Sequence, residues 1–141
     1  MRYLILVSHG TFAPGLHNAV GMMAGADRKD IRSTSLLDGM DVDTYRTKFA
    51  ELVADITADD EILLFADIIG GSPLTTAMEV LTEKGLAEKT AAIGGMNLPL
   101  VLTAAFADAD TPLAQVAAEI MEEGRGQLKP FDLSGGDDDE I

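Results

Sequence analysis

Short apolar runs alternate along this chain with longer segments in which apolar residues return every three or four positions. The runs lie at Tyr3–Ser8, Ile31–Leu36, Glu61–Ala66 and Thr90–Ile93. A compact apolar run bounded by turn residues reads as a strand buried on both faces. The second run is less uniform, because Arg32, Ser33 and Ser35 interrupt it. Between the runs the spacing predicts helices. The first spans about Pro14 to Met23 and stops near Gly25. The second is capped by Asp43 and carries Tyr45, Phe49, Leu52, Val53 and Ile56 on one side. The third opens at Ser72-Pro73, with Ser as N-cap and Pro at the first helical position. It presents Ala77, Met78, Val80 and Leu81, and Gly85 closes it. Two more helical segments follow, one from about Asn97 and one from Pro112 to Glu123. A short last strand is expected around Gln127–Lys129.

The resulting order, β-α-β-α-β-α-β-α-α-β, implies a doubly wound α/β fold. Its core is a mainly parallel four-stranded sheet with helices on both faces. At 141 residues, 47% of them hydrophobic, the chain can bury the core of one domain. Residues 1–130 read as that domain and 131–141 as an acidic, flexible tail. The bias is strongest after Ser134, where Gly135-Gly136 precedes Asp137, Asp138, Asp139 and Glu140.

Composition narrows the chemistry. The chain has no Cys, which excludes disulfides, thiolate metal sites and thiol catalysis. The formal net charge of −14 argues against binding nucleic acid or an anionic membrane surface and permits a basic protein partner. The apolar stretch after Met1-Arg2 is shorter than the roughly 7–15 residues of a secretory core. The region from Ile93 to Ala107, broken by Gly94, Gly95, Asn97 and Pro99, falls short of the ~20 residues of a membrane span. The expectation is a soluble, cytoplasmic protein.

Candidate chemistry gathers at the carboxyl ends of the strands, the edge where open α/β sheets bind ligands. Strand one ends in Ser8-His9-Gly10, strand three in Asp67-Ile68-Ile69-Gly70-Gly71-Ser72-Pro73, and strand four in Gly94-Gly95-Met96-Asn97-Leu98-Pro99. A neutral imidazole is a good nucleophile. A carboxylate that accepts from one ring N–H fixes the tautomer, frees the other nitrogen's lone pair and stabilises the cation formed on substitution. His9 and Asp67 suit these catalytic roles. Gly70 and Gly71 allow close backbone approach, and Ser72 opens a helix whose free N–H groups attract an anion. The set suits a phosphoryl group carried on His9. Taken singly, each residue also has a plain structural reading: an exposed histidine, a turn-capping aspartate, a loop-to-helix boundary. His17 reads as a surface or packing residue, and Met22, Met23 and Met78 as core. Asp27, Asp30, Asp38 and Asp41 read as turn and cap residues without metal-ligand spacing.

Ser8-His9-Gly10, with Ala13 and Gly15-Leu16, resembles the first loop of the mannose-family IIA domains of the bacterial sugar phosphotransferase system. Asp67-Ile68-Ile69-Gly70-Gly71-Ser72-Pro73 resembles that family's Asp-x-x-Gly-Gly-Ser-Pro segment. Gly95-Met96-Asn97-Leu98-Pro99-Leu100 resembles its Gly-x-Asn-hydrophobic-Pro segment. All three occur in family order, and the likeness covers about residues 1–130. It implies a phosphocarrier that needs no metal or nucleotide. The histidine matching His9 takes a phosphoryl group from phospho-HPr and gives it to a IIB component, which phosphorylates sugar brought in by membrane IIC and IID subunits. The aspartate matching Asp67 orients the histidine, and the serine matching Ser72 lies beside the phosphate. The family's last strand is antiparallel and, in a well-known member, exchanged within a homodimer. With one domain visible, the IIB component is expected on a separate polypeptide. The chain departs from the family pattern at Thr75, where Asn is frequent, followed by Thr76.

Two other readings share these residues. The related phosphotransfer subunit of dihydroxyacetone kinases tends to have Ser-His-Ser and Asp-Leu-Gly-Ser in the matching loops; Gly10 and Gly70-Gly71-Ser72-Pro73 favour the sugar branch. A regulatory phosphoprotein, reporting nutrient state through His9, would carry the same motifs. A histidine phosphatase would need Arg where Ser8 stands, and a response regulator would need acids where His9 stands.

Overall fold

The computed structural model describes residues 1–134. Four strands form one sheet: β1 (Arg2–His9), β2 (Ile31–Leu36), β3 (Glu61–Ala66) and β4 (Thr90–Ile93). Five helices alternate with and follow them: α1 (Phe12–Ala24), α2 (Val42–Leu52), α3 (Ser72–Glu83), α4 (Leu98–Ala105) and α5 (Leu113–Gly126). A single 3-10 turn, Ala87–Lys89, leads into β4. The strand order is β2-β1-β3-β4, and every pairing is parallel.

Side chains of a strand alternate between faces, so a strand buried on both sides feeds two cores. Leu4, Leu6, Leu63 and Phe65 pack with Ala13 and Val20 of α1, Leu100 and Val101 of α4, and Val116 and Ile120 of α5. Ile5, Val7, Ile62 and Leu64 pack on the other face with Tyr45 and Phe49 of α2 and Ala77, Val80 and Leu81 of α3. Ile5 pairs with Leu64 and Leu6 with Phe65, so both cores cross the β1–β3 seam in register.

Several local expectations need correction. Asp41, not Asp43, caps α2: its carboxylate accepts from the Thr44 N–H at 2.7 Å. Asp43 lies inside the first helical turn, where an N-cap's extended backbone is unavailable. Helix α2 ends at Leu52, and Val53 and Ile56 are buried from the turns beyond it. Met22 and Met23 are exposed rather than core, because α1 turns Ala13, Leu16, Val20 and Ala24 to the sheet. Met78 does pack against the core formed with α2 and α3.

No strand forms at Gln127–Lys129. Helix α5 continues to Gly126, Gln127 takes a helix-like C-cap conformation, and the Leu128 N–H bonds back to the Arg125 carbonyl at 3.2 Å. A segment this short gains little from edge pairing, whereas extending a helix adds one backbone bond per residue. Most of the acidic tail, from residue 135 on, lies outside the described residues.

The capping assignment has a direct check. Asp41→Ala is expected to lower the urea midpoint clearly, and Asp43→Ala to change it less, because only the first removes a cap bond. The Thr44 N–H holds the Asp41 carboxyl below the usual carboxylate range. The wild-type advantage over Asp41→Ala is therefore full above the ordinary carboxylate pKa and fades as pH falls through the folded-state value.

Candidate functional site

The chain leaves β1 towards β2 on one side and later returns to place β3 on the other side of β1. Loops at the carboxyl ends of β1 and β3 therefore diverge. The gap between them is the switch point at which doubly wound sheets open a crevice. Val7 and Ala66 form the last paired rung. His9 and Asp67 come just beyond it.

The two side chains meet there. His9 Nδ1 lies 2.9 Å from Asp67 Oδ2, and the same oxygen accepts the His9 backbone N–H at 3.0 Å. Asp67 Oδ1 accepts the Ile68 N–H at 2.9 Å. Burial raises the Asp67 pKa, but the N–H groups of His9 and Ile68 and the imidazole outweigh it and hold the carboxyl below its ordinary value. An ionised carboxylate can only accept, so in the neutral ring the proton belongs on Nδ1 and the Nε2 lone pair is left free. The His9 side chain is 47% exposed and that of Asp67 only 17%. The ring is thus reachable from solvent while its partner is recessed.

The Cε1–Nε2 edge of the ring lies against the start of α3. A Cβ placed on Gly71 would lie 2.8 Å from His9 Cε1 and 3.4 Å from Nε2. Only glycine lets this backbone approach the ring so closely. Gly70, at φ +85°, makes the left-handed turn that brings Gly71 there. Gly71 is the N-cap of α3, Ser72 is its first residue and Pro73 its second, which moves the helix start one residue earlier than the sequence reading. Thr75 is the first residue to bond back, to the Gly71 carbonyl at 3.0 Å. The Ser72 and Leu74 N–H groups precede it and have no helical partner. The Ser72 side chain is exposed and makes no side-chain hydrogen bond among the described residues.

Residues 3–121 match the family model described as the PTS system fructose IIA component, EIIA-man. The chain belongs to this family. The fructose-specific EIIA component of Bacillus subtilis (strain 168) is 28% identical over 102 residues, which cover 72% of this chain and 67% of that protein. The mannose-specific EIIAB component of Escherichia coli (strain K12) is 25% identical over 130 residues; the match spans 89% of this chain but only 39% of that longer protein. Among solved structures, the mannose/sorbose-specific IIA subunit from Enterococcus faecalis superposes with a TM-score of 0.75 at 25% identity, covering 94% of this chain and 96% of that one. An EIIA component from Streptococcus agalactiae shares the fold, with a TM-score of 0.78 at 21% identity over 95% of this chain and 98% of that one.

The third motif of this IIA chain buttresses the site without adding a reacting side chain. Gly95 and Met96 donate to the Asp67 and Ala66 carbonyls at 3.1 and 2.9 Å. A Cβ on Gly94 would collide with Ile69, 2.4 Å from Cγ1, so the Asp67 loop rests on that glycine. Asn97 caps α4, accepting from Leu100 at 2.9 Å and donating to the Gly124 carbonyl at 3.1 Å. His17 stands apart, its Nδ1 2.7 Å from Ser33 Oγ, with its pKa lowered by burial. Among the described residues, no three His, Asp or Glu side chains are grouped to hold a metal ion.

Sequence reasoning missed the part played by Ser8. Its hydroxyl is fully buried, accepts the Ala13 N–H at 2.7 Å and donates to the His9 carbonyl at 3.0 Å. It ties the end of β1 to the start of α1 and holds His9 from behind. The signal was available: a serine inside an apolar run, five residues before a helical position, is a side-chain cap in waiting.

Two measurements address this geometry. Nitrogen-15 spectra of the His9 ring are expected to show the proton on Nδ1 in the wild type and a move towards Nε2–H in Asp67→Asn. Because the Asp67 pKa is depressed on folding, its stabilisation is full above the ordinary value of 3.8 and is lost as pH falls through the folded-state value. Asp67→Asn is therefore expected to flatten the acid limb of the urea-midpoint profile.

Proposed function

We propose that this IIA component is a histidine phosphocarrier. His9 Nε2 accepts a phosphoryl group from phospho-HPr and passes it to a IIB component, for sugar uptake and phosphorylation. The observation that carries the proposal is the ring itself: Nδ1 bound to a recessed carboxylate and the Nε2 edge set against the start of a helix.

In the forward step the phosphorus–nitrogen bond to the donor imidazole breaks as the bond to His9 Nε2 forms. His9 keeps its Nδ1 proton and becomes cationic, and the Asp67 carboxylate offsets that charge. Phosphoryl transfer has a loose transition state, so positioning and charge stabilisation supply most of the acceleration. The equatorial oxygens are received by the Ser72 hydroxyl and the free N–H groups at the start of α3, with Gly70 and Gly71 leaving them room. Transfer to IIB reverses the sequence.

A protein donor and a protein acceptor need an exposed ring on an accessible surface. Phe12, at the start of α1, and Ile68 and Ile69, in the loop after β3, are all exposed and offer apolar contact for such partners. The EIIAB name of the Escherichia coli relative supports a IIB acceptor. Transfer onward to sugar would use membrane IIC and IID subunits. Among the described residues no helix is long and apolar enough to cross a membrane, which fits a cytoplasmic carrier. We assign residues 1–130 to the carrier domain and read the protein as a homodimer. Among the described residues the outer edge of β4 is unpaired, and Leu128, Phe131 and Leu133 are exposed after α5, so a second copy has a surface to cover.

Incubation with phosphoenolpyruvate, enzyme I and HPr is expected to put acid-labile phosphate on the wild type and none on His9→Ala. Asp67→Asn should slow labelling roughly tenfold or more, and Gly71→Ala should slow it by crowding the ring. Normal labelling of His9→Ala would end the proposal. Onward transfer to a dihydroxyacetone kinase subunit but not to IIB would move the carrier to another pathway. Sedimentation is expected to give twice the chain mass; a monomer at micromolar concentration would remove the dimer alone.

A further inference from the structure

We infer that Tyr45 is a positioning residue for phosphoryl transfer at His9, acting through the first turn of α3. The inference rests on the phosphocarrier reading above. Tyr45 stands on α2, fully buried against the sheet, with Phe49 one helical turn on. Its ring lies 6.5 Å from the Phe49 ring, at 34°. A phenol in an apolar core is costly unless its hydroxyl finds a partner, and Phe would fill the same space without that demand. The partner here is specific: the hydroxyl donates to the Pro73 carbonyl at 2.7 Å, in a buried bond between α2 and α3.

The Pro73 carbonyl has an ordinary helical partner in the N–H of Ala77, so α3 does not need Tyr45 to satisfy its backbone. The bond does two other things. It pins the first turn of α3, and with it Gly71 and Ser72, to a helix that is itself packed on the sheet. It also acts on one particular peptide group. The Pro73 carbonyl and the Leu74 N–H belong to the same peptide, and that N–H is one of the unpartnered donors at the helix start. A hydrogen bond accepted by the carbonyl polarises the peptide and makes its N–H a better donor. Tyr45 therefore sets both the place and the strength of the amide end facing the phosphoryl group.

The hydroxyl is a dependable donor. Burial, and then the Asp67 charge, push its pKa far above the physiological range, so it stays protonated. The bond to Pro73, two residues beyond the glycine that touches the His9 ring, places the phenol beneath the site rather than in a remote part of the core.

The test compares Tyr45→Phe with Phe49→Leu, a substitution in the same core that leaves the Pro73 carbonyl bond in place. Both are expected to fold and to lose some thermal stability. Tyr45→Phe should move the Leu74 amide proton resonance upfield and shift the phosphorus-31 resonance of phosphorylated His9. It should lower the maximal rate of transfer from phospho-HPr roughly three- to tenfold, the range commanded by one neutral hydrogen bond, with the half-saturating phospho-HPr concentration unchanged. Phe49→Leu should leave the Leu74 resonance, the phosphorus resonance and the rate at wild-type values. Wild-type resonances and rate in Tyr45→Phe, or equal losses in both variants, would reduce Tyr45 to a packing residue and leave the carrier reading intact. No labelling of the wild type would remove the carrier reading and this inference together.

Discussion

The pairing of β1 with β3 is the constraint on which the site depends. His9 and Asp67 are 58 positions apart in the chain, yet the parallel register brings them within one hydrogen bond of each other. The Asp67 carboxylate is then held by three N–H donors, two of them backbone groups that cannot move without distorting the strand ends. That rigidity is what the proposed phosphoryl transfer, with its loose transition state, would require of the protein.

The surrounding elements keep this pair in place from several directions. Ser8 holds the His9 carbonyl from the buried side of β1. The loop after β4 bonds to the backbone of Ala66 and Asp67 and seats Ile69 on Gly94. Tyr45 reaches α3 from α2. Each support comes from a different element, and each hydrogen bond among them ends on backbone rather than on the imidazole or the carboxylate. The exposed part of the site is consequently small: one imidazole edge, one serine and the open end of a helix, ringed by apolar side chains that another protein can cover.

Much of this was legible in the order of residues. The four apolar runs became the four strands, and the glycines and prolines between them marked the turns and helix starts. His9, Asp67, Gly70, Gly71 and Ser72 stood out as candidates because each departs from what a plain strand end or loop would carry. The misreadings share a cause. Asp41 and Asp43, or Gly71 and Ser72, are neighbours of similar local preference, and the choice of cap depends on the angle at which the chain arrives. Met22 and Met23 look like core by composition, but which face of α1 meets the sheet is set by packing. Gln127–Lys129 could serve as strand or helix end, and within a single chain the helix continues because its next bond is local.

By itself the sequence determined the types of the four strands and five helices, the alternation that forces a parallel sheet, and the chemistry available at its rim. These depend on local spacing and residue type, which need no partner in space. Only the tertiary structure decided which nitrogen of His9 is free, which glycine touches the ring, and which buried hydroxyl grips α3. Those are matters of tenths of an ångström between residues far apart in the chain. They emerge only when two cores, packed on opposite faces of one sheet, fix every strand end at once.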